Sequence, residues 1–176
     1  MHLERAFTSL RDVVVLTVVV ETTSIVPGVK RVNKSRSSPE ESGFLDLLRT
    51  CDLLSRAPAQ LLKSEDLSST QYNVLRILRG APEGLPCGEI GSRMITRDPD
   101  ITRLLDRLEK RKLISRCRET ADRRMVMARI SEEGIELLAR LDGPVQEIHR
   151  KQLGHLGREK LTILKELLAA ARARVG

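Results

Sequence analysis

Twelve lysines and arginines lie between Arg93 and Arg129, and they form the densest group of chemically active side chains in this sequence. The same 37 residues contain six Asp and Glu, which leaves a net charge of +6. The other 139 residues contain nineteen basic and eighteen acidic side chains and are close to neutral. A concentrated positive charge is the electrostatic footprint of a protein that binds a polyanion. The alternative interpretation is a solvated charged face without a partner.

Other residue types that perform chemistry are sparse and scattered. His2, His149 and His155 form no cluster with carboxylates or thiols at the spacing of metal ligands. The sequence contains no nucleophile elbow, no phosphate-binding loop and no dinucleotide fingerprint. We therefore predict no catalytic residue, no metal site and no cofactor, and we do not expect an enzyme.

The three cysteines, Cys51, Cys87 and Cys117, are odd in number and form no C-x-x-C pair, which favours a reducing, cytoplasmic compartment. Cys87 is predicted to begin a helix, where the helix dipole lowers the pKa of a thiol. It is therefore a candidate redox-sensing thiol, and the alternative is a small residue at a helix start. The apolar run Val13–Val20 is too short to span a bilayer, so no membrane partner is expected.

A mostly α fold is predicted because the chain has one Tyr, two Phe and no Trp, while Leu, Ile and Val recur at helical spacing. Residues 1–37 differ from the rest. In them a β-prone valine run leads into a basic stretch rich in Ser, Pro and Gly. They are predicted to be an N-terminal extension that is flexible or loosely packed.

Helix start and stop signals divide the chain that follows. Three helices are predicted before residue 95: Pro39–Lys63 with a bend at Pro58, Ser69–Arg79, and a short helix near Cys87–Met94. Ser38 is the predicted cap of the first. Ser68 and Gln71 form a capping box for the second, and Gly80 is predicted to end that helix at the C′ position.

A fourth helix is predicted to begin at Pro99, with Asp98 as its N-cap. Four residues form its core stripe: Ile101, Leu104, Leu105 and Leu108. The opposite face is polar and basic. Ile114–Arg118 and Met125–Ile130 are β-prone runs separated by E-T-A-D-R-R, which indicates a hairpin with arginines at its tip.

Two further amphipathic helices are predicted at the C-terminal end. Ser131 caps the first, which Pro144 should kink, and the second covers Arg158–Arg174. The element order is therefore α-α-α-α-β-β-α-α. Long amphipathic helices on both sides of a small domain need a partner surface for their apolar stripes, and a homodimer supplies one.

A helix that can lie in a DNA major groove, followed by a hairpin that can reach the next minor groove, is the layout of a winged helix-turn-helix. The predicted fold class is thus mostly α with a small β-hairpin wing. We assign residues 38–67 to an N-terminal dimerisation helix and residues 68–131 to the DNA-binding region. Residues 132–176 are predicted to form C-terminal dimerisation helices.

The sequence resembles the MarR (multiple-antibiotic-resistance regulator) family of bacterial transcription factors. Four segments carry the resemblance: LSSTQYNVL (67–75), ITRLLDRLEKRKLI (101–114), ADRR (121–124) and ISEEG (130–134). The resemblance implies a triangular homodimer whose terminal helices form the dimer interface. It also implies a small-molecule or redox input at the junction with the DNA-binding region. Members of the family often have Gly where Lys112 stands, so here the helix must end without it.

Eight residues are predicted to contact DNA: Arg97, Thr102, Arg103, Arg107, Arg116, Arg118, Arg123 and Arg124. Residues on the fourth helix would reach base edges or phosphates in the major groove, and Arg116 and Arg118 would contact phosphates. The resemblance makes either Arg123 or Arg124 the wing contact in the minor groove. The alternative for the helix face is local pairing in solvent, such as Arg103 with Asp106.

The sequence therefore predicts a DNA-binding transcriptional regulator. We expect a ligand-responsive repressor that binds a pseudo-palindromic operator as a homodimer. The alternative function is a winged-helix protein-interaction module whose basic face docks an acidic partner.

Overall fold

The computed structural model describes residues 38–96, 100–118 and 126–174. Its elements in chain order are α1 (Pro39–Ser64), α2 (Ser69–Arg79), β1 (Leu85–Pro86), α3 (Cys87–Arg93), α4 (Ile101–Lys110), β2 (Ile114–Arg118), β3 (Val126–Ile130), α5 (Glu132–Leu153), a 3₁₀ turn (Gly154–Leu156) and α6 (Gly157–Ala173). The mostly helical class with a small β-sheet is confirmed. The structure of residues 1–37, predicted to be a loose extension, lies outside the described residues.

The chain divides into two compact units, of which the first ends at Leu53 and the second begins at Leu54. The described part of the first unit is the N-terminal half of α1. There the Ser38 hydroxyl accepts a hydrogen bond from the Glu41 backbone N–H at 3.2 Å, as the sequence predicted. Phe44 and Leu47 are exposed in this half of the helix.

The core of the second unit is aliphatic and is formed by helices that pack against one another and against the sheet. Its largest fully buried side chains come from α2, α3, α4 and α5: Val74, Leu75, Leu78, Ile90, Leu105, Leu108 and Leu138. Each buried Leu or Ile contributes about 1.5–3 kcal/mol relative to an exposed one. Gln71 is the buried polar side chain among the described residues, and its Oε1 accepts from the Ser68 backbone N–H at 2.9 Å.

Both ends of α2 follow the sequence prediction, but the role of Gly80 does not. Ser68 and Gln71 form the predicted capping box, since the Ser68 hydroxyl accepts from the Gln71 backbone N–H at 3.1 Å. Gly80 is the C-cap itself, with φ −76° in the right-handed region, and not the left-handed C′ residue that was predicted. The prediction was wrong because a glycine after a helix indicates its end without fixing the hand of the last turn.

The N-cap of α4 is Asp100 and not Asp98. The Asp100 carboxylate accepts from the Arg103 backbone N–H at 3.1 Å, so the helix begins at Ile101, two residues later than predicted. Asp98 and Pro99 lie outside the described residues. Asp98 and Asp100 both precede the apolar stripe of the helix. The preference of proline for the first helical position favoured Asp98, which was the wrong choice.

The sheet has three antiparallel strands in the order β1-β3-β2, so β3 is central. In the β2–β3 hairpin Ile114 faces Ile130 and Arg116 faces Ala128. The sequence analysis missed β1, which pairs Leu85 with Ala128. A strand of two residues that ends in proline has no periodicity, and only its distant partner makes it a strand.

Proline inside α1 leaves a backbone carbonyl without its helical partner, and α5 supplies a replacement. Pro58 has no N–H to donate to the Leu54 carbonyl four residues earlier. The Gln152 side-chain amide donates to that carbonyl at 2.9 Å. A side chain of α5 thereby fixes the C-terminal part of α1 at its weakest backbone position.

Candidate nucleic-acid interface

The leucine stripe of α4 holds the opposite face of the helix toward solvent. Leu104, Leu105 and Leu108 are buried at 4% exposure or less. Thr102, Arg103 and Arg107 are exposed, as the helical spacing requires. The three side chains are therefore presented by a rigid helix whose position the core determines.

Arg103 forms a surface ion pair at the start of α4. Its Nε lies 3.1 Å from the Asp100 carboxylate, and its side chain is 77% exposed. The expected alternative, pairing with Asp106, does not occur, because Asp106 binds Arg116. Exposed pairs of this kind are weak, so Arg103 can exchange its partner for a phosphate or a base.

Arg107 and Arg118 are exposed, on α4 and β2 respectively. Within the described part of the chain, neither has a carboxylate within ion-pair distance. Their positive charges are therefore not neutralised by the described residues. Both have the exposure that a DNA contact requires.

Arg116 is placed differently from the other predicted contacts. Its Nη2 lies 2.6 Å from both Asp106 Oδ1 and Glu109 Oε2, and its side chain is only 22% exposed. Glu109 also accepts from Arg116 Nε at 3.0 Å and from the Arg116 backbone N–H at 3.1 Å. The hydrogen bonds from Arg116 hold the pKa of the Glu109 carboxyl below its ordinary value. The charge of Arg116 is therefore neutralised within the protein by Asp106 and Glu109.

Cys87 begins α3, as predicted, but its environment opposes a reactive thiol. Burial raises the pKa of the Cys87 thiol, against a smaller lowering effect of the Arg116 charge. The thiol lies 3.3 Å from the Val126 carbonyl, to which it donates. It lines a cleft of about 370 Å³ with Thr102, Leu105 and Arg116. The predicted lowering of the thiol pKa is therefore wrong.

A second cleft, which the sequence did not reveal, lies between α2 and α5. Its volume is about 350 Å³, and six residues line it: Tyr72, Arg76, Asp142, Val145, Gln146 and His149. The Tyr72 hydroxyl is buried without a hydrogen-bond partner among the described residues. The Arg76 guanidinium lies 5.8 Å from the centre of the Tyr72 ring. No sequence motif links these residues, because packing of two distant helices brings them together.

Comparison with known proteins connects this geometry to a family. Residues 67–126 match the model of the MarR family. The transcriptional regulator FarR of Neisseria gonorrhoeae is 31% identical over 110 residues, which cover 62% of this chain and 74% of that protein. The chain belongs to the MarR family.

Two solved structures of this family's fold are similar over most of the chain. A MarR transcription factor from Planctomyces limnophilus is 37% identical, with a TM-score of 0.59, over 73% of this chain and 94% of that one. The S. aureus MepR–DNA complex has a TM-score of 0.66 at 23% identity, over 75% of this chain and 96% of that one. As a member of the MarR family, the chain is a DNA-binding transcriptional regulator and not an enzyme.

Three predicted contacts of this MarR-family chain, Arg97, Arg123 and Arg124, lie outside the described residues. Across the described ranges, no group of three or more His, Cys, Asp and Glu is placed to hold a metal ion. No helix within those ranges is both long enough and apolar enough to cross a membrane.

Proposed function

We propose that this chain is a repressor that binds a pseudo-palindromic operator as a homodimer. In this proposal α4 lies in the major groove and the tip of the β2–β3 hairpin enters the adjacent minor groove. The observation that carries it is the exposed face of α4, where Thr102, Arg103 and Arg107 project from a helix anchored by buried leucines. Rigid presentation is what base readout requires, because each base contact depends on a fixed side-chain position.

The proposed DNA contacts differ from the set predicted by sequence in one residue. Thr102, Arg103 and Arg107 remain the proposed contacts on α4, and Arg118 remains a phosphate contact. Arg97, Arg123 and Arg124 remain predictions. Arg116 is no longer a proposed DNA contact, because its guanidinium is paired with the carboxylates of Asp106 and Glu109.

The homodimer is proposed because apolar side chains remain exposed on the flanking helices. Phe44 and Leu47 of α1 are 54% and 43% exposed, and Ile163 and Leu167 of α6 are 48% and 64% exposed. Burial of such residues between two copies of the chain would remove them from water. Leu167→Glu should shift the molecular mass in light scattering from dimer toward monomer, whereas Lys165→Glu, on the same helix, should not.

The experiment that tests operator binding is sequence selection followed by footprinting. A selected site should contain two half-sites about 10–10.5 base pairs apart. Arg107→Gln should weaken operator binding, and the affinity should fall by orders of magnitude between ~50 and ~200 mM salt. A chain that selects no symmetric site but binds an acidic protein instead would refute the proposal.

We further propose that the cleft between α2 and α5 receives the effector. The Tyr72 hydroxyl is buried without a partner among the described residues, which favours a ligand that accepts a hydrogen bond. Arg76 at the same cleft favours an anion, because the Asp142 carboxylate there is already paired with Arg79, and Val145 supplies an apolar wall. A small organic carboxylate has this combination of properties. Binding there would change the position of α2 relative to α5.

The carboxylate proposal can be tested with 4-hydroxybenzoate and, as its uncharged analogue, 4-hydroxybenzyl alcohol. The acid should raise the melting temperature and release the operator, and the alcohol should do neither. Arg76→Gln should abolish the response, whereas Arg140→Gln, outside the cleft, should retain it. An equal response to acid and alcohol, or an unchanged response in Arg76→Gln, would rule out this site.

A further inference from the structure

We propose that Arg116 is a positioning residue that fixes the wing, which is the β2–β3 hairpin, onto α4, the proposed recognition helix. This inference rests on the proposed DNA-binding function and assigns Arg116 a role that is distinct from DNA contact. The clamp is defined as Asp106, Glu109 and Arg116, which join α4 to β2. Its members lie on the two elements that must engage neighbouring grooves.

The geometry of the clamp restrains both the position of the β2 backbone and the direction of the Arg116 side chain. Glu109 accepts from the Arg116 backbone N–H through one oxygen and from the Arg116 side chain through the other. Asp106, one turn earlier on α4, accepts from the same guanidinium at 2.6 Å. One carboxylate therefore fixes the strand backbone, while two carboxylates one helical turn apart fix the guanidinium plane.

The clamp lies at the point where the hairpin leaves the core. Along one face of β2, Ile114 is buried, Arg116 is partly buried and Arg118 is exposed. Arg116 also lies opposite Ala128, which is completely buried in the central strand. A change of angle at this midpoint would move the part of the hairpin beyond it, which the structure describes as far as the Arg118–Val126 pair. The clamp is therefore placed to set the reach of the wing.

The net charge of the clamp distinguishes the positioning role of Arg116 from a phosphate-binding role. Two carboxylates and one guanidinium give the clamp a net charge of −1, which opposes DNA binding. If attraction to phosphate were the only role of Arg116, neutral side chains at Asp106 and Glu109 would improve binding. If the clamp positions the wing, the same substitutions should impair operator recognition although they make the surface more positive. The two roles thus predict changes of opposite sign.

The test is the double variant Asp106→Asn/Glu109→Gln, measured on the selected operator and on a random duplex at the same salt concentration. Operator affinity should fall about tenfold, the order of one lost base-pair contact, while affinity for the random duplex should stay or rise. The ratio of the two affinities should therefore fall. Arg116→Gln should lower the same ratio, and Arg116→Lys, which can meet one carboxylate at a time, should restore it in part.

Arg118→Gln, two residues further along β2, is the matched control. It removes an exposed cation without a described partner, so it should weaken operator and random DNA alike and reduce the salt dependence. Hydroxyl-radical footprints of Arg116→Gln should lose minor-groove protection at the operator flanks. Dimethyl sulfate footprints of the same variant should keep the protection of guanine N7 in the major groove. Thermal melts identify any variant that fails to fold.

Tighter operator binding by the double variant with an unchanged affinity ratio would overturn the inference and leave the proposed function intact. Loss of both footprints together in folded Arg116→Gln would also overturn it. A wild-type protein without any operator preference would refute the proposed function and, with it, this inference.

Discussion

At the residue scale, the end of α4 depends on a lysine in a backbone conformation that usually belongs to glycine. Lys112 has φ +58°, in the left-handed region. Its N–H donates to the Glu109 carbonyl at 2.8 Å, and the Leu113 N–H donates to the Leu108 carbonyl at 3.0 Å. These two bonds form a Schellman motif, which ends α4 although the glycine common in the family is absent.

Lys112→Gly should therefore stabilise the protein. A left-handed conformation costs a side-chain-bearing residue about 1–2 kcal/mol, and the greater freedom of glycine in the unfolded chain offsets about 0.4–1 kcal/mol of the gain. We expect a net stabilisation of about 0.5–1 kcal/mol in urea unfolding. Lys110→Gly, inside the helix, should instead destabilise by about 1 kcal/mol. The same sign for both variants would contradict this explanation.

Sequence predicted single residues well where the signal is local. The capping box of Ser68 and Gln71 is complete within four residues and was predicted correctly. Arg116 was assigned to DNA because its partners, Asp106 and Glu109, lie on another element and become neighbours only after folding. The sequence could not reveal the buried Tyr72 hydroxyl, which has no partner in the described part of the chain, since burial without a partner is a property of packing.

At the element scale, the start of α5 packs against the corner that follows α4. The Ser131 N–H donates to the Leu113 carbonyl at 3.1 Å, and its hydroxyl lies 2.6 Å from the Lys112 carbonyl. Gly134 lies so close that an added Cβ would sit 2.3 Å from the Leu113 carbonyl oxygen. The corner therefore has room for a hydrogen atom and not for a methyl group.

Gly134→Ala should destabilise the second unit by about 1–3 kcal/mol, because the obstacle is backbone and cannot move aside alone. Gly91→Ala is the control, since Gly91 lies in a helix with no atom within 4 Å of its added Cβ. That variant should stabilise by about 0.5–1 kcal/mol. Chemical denaturation measures both, and a neutral Gly134→Ala would mean that the corner is looser than its geometry indicates.

The contact between α1 and α5 gives a second prediction at this scale. Gln152→Leu leaves the Leu54 carbonyl without a donor, so it should destabilise by about 1–2 kcal/mol. In a Pro58→Ala background, position 58 regains an N–H that can bond to this carbonyl. The same Gln152→Leu change should then cost much less. A double-mutant cycle measures the difference, and additive effects would show that Pro58 and Gln152 are not coupled.

Element boundaries were predictable where helical periodicity and capping coincide. The ranges predicted for α1 and α2 agree with the structure to within one residue. The start of α4 was misplaced because two aspartates competed for one cap, and β1 was missed because its partner strand lies some forty residues away. Local patterns thus predicted most helices and the β2–β3 hairpin, and the strand that depends on long-range pairing, β1, was missed.

At the scale of the whole second unit, an ion pair links α2 to α5. The Arg79 guanidinium binds the Asp142 carboxylate through two hydrogen bonds of 2.7 and 3.0 Å. The hydrogen bond to Arg79 lowers the pKa of the Asp142 carboxyl from its ordinary value of 3.8. A two-point contact between α2 and α5 restricts their relative movement, which is the movement proposed to follow effector binding.

This ion pair should make stability depend on pH in acid. Because the pKa of Asp142 is lower in the folded state, its stabilising effect is complete above pH 3.8 and is lost as the pH falls through the folded-state value. Asp142→Asn should be less stable than wild type at neutral pH, and the difference in unfolding free energy should shrink below pH 3.8. Arg79→Gln should show the same trend, since it removes the other half of the pair. A difference that stays constant down to the most acidic condition at which the protein folds would mean that Asp142 contributes through packing and not through its charge.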